Sequence, residues 1–262
     1  MAWGFGIPAT GDESRASRIA REIEHLGFDT IWTNDIPRAD GIRTAAYFAE
    51  STSEVRLGVG VVPCDRRPPE EIASRVGEVD LPLDRLVLGI GAGSSTHPVQ
   101  TVRACVHRLK ELLGPSLEVG VAAMGGRMCA LAGEVADLVL LNWMVPDRTR
   151  WARGEIDKGR ASRRDSVAPE VAGYVRVALA EDGRQRIRAE AERYYAMPAY
   201  RRHFEAMGED LSEVGVAGPA AKLVPLLAGY EEVLDEVVIR ALPASDSIES
   251  TLAVAEATAP AR

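Results

Sequence analysis

Short apolar runs alternate with longer amphipathic stretches along the whole chain. WGFGIP (3–8) is a compact apolar run closed by proline. ESRASRIAREIEHLGF then sets Ile19, Ile23 and Leu26 on one face of a 3.6-residue period, and Gly27 stops the helix. TIWTND (30–35) reads as a second strand, followed by a helix around IRTAAYFAEST. RLGVGVVP (56–63), RLVLGIGAG (85–93), LEVGVAAMG (117–125), DLVLLNWM (137–144), VAGYVRVALA (171–180) and DEVVIRALP (235–243) supply six more strands. Between them lie PEEIASRVGEVD, PVQTVRACVHRLKELLG, GRMCALAGEVA, RTRWARGEIDKGRASRR and a long charged helical stretch broken near Pro198. Strands this uniformly apolar belong in a parallel sheet buried on both faces. Eight strands, each followed by a helix, predict an α/β fold that closes as a single (β/α)8 TIM barrel. No linker, repeat or low-complexity stretch divides the chain, so residues 1–262 read as one domain.

Composition narrows the function. Hydrophobic residues are 46% and charged residues 27%, the balance of a globular protein. The net charge of −8, from 39 acids against 31 bases, argues against a nucleic-acid partner. The amino-terminal stretch MAWGFGIPATGDESR has no basic segment followed by a long apolar run, and no run reaches a membrane span, so a cytoplasmic location and no membrane partner are expected. The three cysteines, Cys64, Cys105 and Cys129, fit no zinc or disulfide spacing and read as free thiols. No carboxylate or histidine cluster suggests a metal.

In a barrel of this kind the chemistry lies on the loops after the strands. The most conspicuous is LVLGIGAGSST (86–96), a glycine-rich turn after a buried strand. Its G-x-G-x-G spacing is not the dinucleotide fingerprint G-x-G-x-x-G, and no acid-ended strand follows about 20 residues on. His97, just past that turn, is the only histidine at a strand end, and reads either as a proton shuttle or as a solvent-facing loop residue. Asn142 and Trp143 end the sixth strand. Arg176 and Arg240, on the seventh and last strands, bind an anionic cofactor tail or substrate, or else pair with acids such as Glu118 and Asp235. Ser94, Ser95 and Thr96 have no histidine–aspartate partners, which disfavours a serine hydrolase.

Taken in order, HLGFDTIWTND, TSEVRLGVGVVP, DRLVLGIGAG, AAMGGRMCALAGEVADLVLLN and DEVVIRALP resemble the luciferase-like flavin and deazaflavin oxidoreductases, and most of all their F420-dependent actinobacterial branch. The resemblance implies a cofactor, coenzyme F420 or else FMN, whose ring lies over the strand ends against Gly91, Ala92 and Gly93, where small residues let it approach the backbone. It implies a non-proline cis peptide at Gly60–Val61 supporting that ring, with Asn142 a further contact. The cofactor phosphate is expected at AMGGRM, where Ala123 and Met124 lead into Gly125 and Gly126. These open a helix whose N–H groups attract an anion, with Arg127 beside them. Asp35 matches an acidic position near the cofactor and is taken as catalytic together with His97; helix capping or ion pairing is its structural alternative.

Two departures shape the expected activity. The family's sugar-phosphate and alcohol dehydrogenases carry a histidine directly after that aspartate and an acid past the fourth strand's glycines; here those positions are Ile36 and Ser94. Without that acid/base pair alcohol oxidation is disfavoured. The expectation is F420-dependent hydride transfer with a small substrate, reducing an activated C=C or C=N bond. An FMN monooxygenase or a non-catalytic flavin-binding homologue is the alternative. The long insertion after the fourth helix is missing, implying a more open site or closure by a second subunit of a homodimer.

Overall fold

Every apolar run forms a strand within two residues of its expected bounds. The computed structural model describes residues 1–163, 167–180 and 182–260. The strands are β1 (Ala2–Gly6), β2 (Thr30–Thr33), β3 (Arg56–Pro63), β4 (Leu86–Gly91), β5 (Glu118–Ala123), β6 (Leu138–Asn142), β7 (Glu170–Leu179), β8 (Gly215–Gly218) and β9 (Glu236–Ala241). All pair in parallel, in the order β6-β5-β4-β3-β2-β1-β9-β7, and β6–β7 pairing closes the ring into an eight-stranded barrel. The helices between them are α1 (Glu13–His25), α2 (Gly41–Ser51), α3 (Pro69–Glu78), α4 (Pro98–Leu113), α5 (Gly126–Val135), α6 (Pro146–Arg160), α7 (Gly183–Tyr195), α8 (Pro198–Met207), α9 (Ala220–Glu231) and α10 (Ile248–Ala257). The polar helix expected over RTRWARGEIDKGRASRR is α6 as far as Arg160; its last residue, Arg164, lies outside the described residues.

β8 is the strand that the apolar pattern does not announce. Its four residues, GVAG, are too few for a period, and they pair only with the far end of β7, from Arg176 to Leu179. β7 is ten residues long for that reason: it pairs with β6 over Glu170–Tyr174, with β8 beyond that on the same side, and with β9 on the other.

Side chains alternate between two cores. Outward positions meet the helices in one large apolar cluster that includes Ile19 and Ile23 of α1, with Leu26 packed at its edge and Gly27 at φ +86° ending the helix. Inward positions form a smaller cluster of Trp32, Val87, Leu138, Leu140, Ala172 and Val238. Trp32 is fully buried there, and its indole fills the space that a Cβ on Gly58 would need. Its Nε1 donates to Glu236 Oε1 at 2.8 Å at the foot of the barrel. Arg56 ties the same end together, donating to Glu118 at 2.5 Å and Glu170 at 3.3 Å. Among the described residues no helix is long and apolar enough to cross a membrane.

Candidate active site at the strand ends

The strands all point their carboxyl ends the same way, and the side chains there converge on a small mouth. A cavity of about 60 Å³ is lined by Gly6, Asn34, Gly60, Asn142, Tyr174, Arg176, Tyr194 and Arg240. Tyr174 and Arg176 are inward positions of β7, and Arg240 is the register partner of Arg176 on β9. Arg176 is only 3% exposed. Its guanidinium stacks on Trp143 at 3.7 Å from the ring centroid, donates to Asn142 Oδ1, and faces Glu190 of α7 at 3.7 Å. Burial pushes its pKa down; Glu190 opposes that and the neighbouring Arg240 adds to it. Neither arginine meets the acids named as alternatives, because Glu118 is held by Arg56 and Asp235 by Arg153. Tyr174, its phenol pushed up by burial, stays protonated and donates to Gly60 O at 3.4 Å.

Above the mouth, α7 and α8 form a cap with its own apolar cluster around Trp143, Ile187, Ala191 and Phe204. Trp143 holds φ +55°, uncommon for a bulky residue. Its carbonyl lies 2.7 Å from His203 Nε2, and burial lowers the pKa of that imidazole. His203 therefore stays neutral beneath the cap, donating through Nε2.

The peptide Gly60–Val61 is cis, as the resemblance implied, and the β3–β4 register slips between Val59 and Val62. Asp35 follows β2 and is buried, but its carboxylate is fully engaged. It pairs with Arg66, lies 3.4 Å from Arg67 Nε, and accepts the Gly41 N–H at 3.0 Å. The glycine turn after β4 is engaged as well. Asp65 fills the space a Cβ on Gly93 would occupy and accepts the Ser94 N–H at 2.6 Å. Gly93 stands at φ +58°, so the turn needs glycine both for its backbone and for this carboxylate. The anion at Gly93 and Ser94 is the protein's own, and Val61 fills the space beside Gly91.

Ala123 and Met124 lead from β5 to α5, whose N-cap Gly125 has no side-chain cap. Nothing lies within 4 Å of where a Cβ on Gly125 would be. Beside it the Glu155 carboxylate of α6 stands 3.2 Å from where a Cβ on Gly126 would be, and Arg127 is exposed with no acid partner among the described residues. The uncapped first turn of α5 with Arg127 fits the phosphate of a nucleotide-like cofactor. Arg127 and His97 line one outer groove of about 540 Å³ between α4, α5 and α6. His97 is exposed, so the structure brings it to Arg127 and away from Asp35 and Asn142. Asn142, by contrast, is at the mouth and holds Arg176.

Comparison with known proteins agrees with this geometry. A model of the luciferase-like monooxygenase family matches residues 6–115, the span from β1 through α4. Over that span the chain is similar to the luciferase-like monooxygenase family. A 5,10-methylenetetrahydromethanopterin reductase of Methanolobus tindarius is 25% identical over 217 residues, covering 70% of this chain and 67% of that protein. A second reductase of that name, from Archaeoglobus fulgidus, is 27% identical but spans only about half of either chain. Among solved structures, a coenzyme F420-dependent tetrahydromethanopterin reductase from Methanopyrus kandleri superposes with a TM-score of 0.77 over 97% of both chains, at 17% identity. The oxygenating constituent of 3,6-diketocamphane monooxygenase from Pseudomonas putida, in complex with FMN, superposes with a TM-score of 0.70 at 13% identity. These likenesses show that the barrel fold here is shared by a reductase and a monooxygenase.

Several mouth residues escaped the sequence reading. Glu190 and Tyr194 sit inside a charged helix with nothing to distinguish them from its solvated face. Tyr174 had a visible signal, being two residues before Arg176 on the same face of its strand. Asp65 and Arg66 act on partners about 30 residues away, which no local pattern reports.

Proposed function

We propose that this luciferase-like chain is an F420-dependent oxidoreductase that passes hydride to an activated C=C or C=N bond of a small substrate. The observation that carries the reading is the engagement of Asp35, the carboxylate that the resemblance offers as catalytic: it is bound up by Arg66 and the Gly41 N–H, and Ile36 follows it. Alcohol oxidation requires such a base, whereas reduction of a polarised double bond takes its proton from solvent or from the substrate. His97 reaches solvent but not the mouth cavity, and in this reading it serves the cofactor side. When bound, the deazaflavin supplies the hydride chemistry. The chain's own residues do the rest. Gly125, Gly126 and Arg127 hold the phosphate, and Gly60, Val61, Gly91 and Ala92 form the rim on which the ring lies. Asn142 and Trp143 fix Arg176 over the mouth. The 25% identity to a methylenetetrahydromethanopterin reductase supports the reductive reading. We read the working protein as a cytoplasmic homodimer without metal.

Titration of the purified protein with F420 and with FMN, by fluorescence, tests this. F420 is expected to bind more tightly, and Arg127→Ala is expected to weaken it by about 1–3 kcal/mol, the loss of a charge-assisted hydrogen bond. Tight binding of reduced FMN, oxygen consumption with a substrate and indifference to F420 would instead establish the second reading, an FMN monooxygenase, which the fold shared with 3,6-diketocamphane monooxygenase favours.

A further inference from the structure

The mouth contains more positive charge than its acids offset. Arg176 and Arg240 are register partners on adjacent strands and both point inward, so their guanidinium groups enter one space. One carboxylate, Glu190, approaches Arg176, and at 3.7 Å it stops short of a hydrogen bond. Arg176 Nε is buried with no partner. Arg240 donates only to the carbonyl of Ala241, at 3.2 Å, and has no acid partner among the described residues. Two cations beside a single carboxylate, one of them buried and the other half-buried, is an unfavourable arrangement unless an anion joins them.

The space around them has two parts. The mouth cavity of about 60 Å³ takes a functional group. A second cavity, of about 540 Å³, shares Gly6, Ile7 and Arg240 with it and is of the size of a small-molecule site. Gly6 keeps the passage open, since a Cβ there would press on the Tyr174 ring at 3.0 Å. In the larger cavity Arg15 is paired with Asp246 at 2.8 Å and Asp12 caps α1, whereas Ile7, Pro8, Ile19 and Leu242 offer apolar wall.

We propose that the substrate of this site carries a carboxylate, seated between the guanidinium groups of Arg176 and Arg240, with its apolar body in the adjoining cavity. The planar fork of a guanidinium matches a carboxylate in two parallel hydrogen bonds, and Arg176 is already held flat against Trp143 to present one. This names the substrate class of the oxidoreductase reading and rests on it for the word substrate; the anion site stands on the geometry alone.

Benzoate and its neutral isostere benzamide test the site in the absence of cofactor, at constant ionic strength, by calorimetric titration. Benzoate is expected to bind saturably and at least tenfold more tightly than benzamide. Arg240→Gln removes a half-exposed cation that holds no ion pair, so the barrel should retain its circular dichroism and melting temperature while benzoate affinity falls at least tenfold. Gly6→Ala is expected to weaken benzoate likewise by narrowing the passage. Equal binding of benzoate and benzamide, benzoate binding untouched by Arg240→Gln, or competition between benzoate and F420 would overturn the proposal. Benzoate binding as expected with no F420 binding would instead sink the cofactor reading and leave the carboxylate site in place.

Discussion

Glu236 shows how far a single buried side chain can tie the barrel to pH. It points inward at the foot of β9, 1% exposed, with Oε1 bonded to the Trp32 indole and Oε2 unpartnered. Burial pushes its pKa up from an ordinary 4.5 to about 7, against the opposing bond from Trp32. Between those two values the folded chain keeps a proton that the unfolded chain has released, so stability falls as pH rises through that window. Glu236→Gln keeps the Trp32 bond and never ionises. It is expected to gain on the order of 3 kcal/mol over the native chain above pH 7, and nothing below pH 4.5. Urea unfolding at the two pH values reads the difference, and a gain independent of pH would contradict the burial argument. At the other end of the barrel, Arg176→Met leaves Glu190 buried at 6% exposure without its cation, and is expected to cost about 3–5 kcal/mol. Adding Glu190→Leu should recover most of that loss, which a double-mutant unfolding series would show.

Among the elements, α5 and α6 make the closest approach, because each contributes a glycine to it. A Cβ on Gly133 would run into the carbonyl of Ile156, and one on Gly159 into that of Ala130. Gly159→Ala is therefore expected to cost about 1–3 kcal/mol by forcing the helices apart. Since the phosphate site we propose lies at the amino end of α5, the same change is expected to loosen F420 as well. Gly154 lies on the same helix with open space around it. Gly154→Ala should stabilise by about 0.5–1 kcal/mol, the ordinary preference of a helix for alanine. Thermal melts of the two variants should move in opposite directions. The elements themselves were legible because a parallel barrel strand is apolar on both faces, and each such run stands out between charged helices. The run VAGYVRVALA also put Arg176 on the seventh strand. The partnerships at the site were not legible. Arg176 with Glu190, Asp35 with Arg66 and Asp65 with the Ser94 N–H are meetings made by barrel closure, and in the sequence Asp35 and Asp65 look equally free. At the glycine turn, likewise, only the fold reveals that Asp65 sits against Gly93 and the Ser94 N–H.

For the whole molecule, closure is the condition on which everything else depends. β9 lies between β1 and β7, so a chain ending before Glu236 leaves both with unpaired edges and takes Arg240 from the mouth. Residues 1–234 are expected to give no cooperative melt by circular dichroism, whereas the full chain melts in one transition. β7 has a subtler role. It leaves β6 at Tyr174 and takes up β8 from Arg176, so the sheet forks at the level of the mouth. The ring of eight strands below the fork is one structure, and the cap of α7, α8 and β8 hangs from the upper tine. A fork of this kind separates two inheritances. The cap can be lengthened, recut or exchanged to suit a different small molecule while the ring beneath keeps its register. Arg176, at the crotch, is the residue that both halves must agree on.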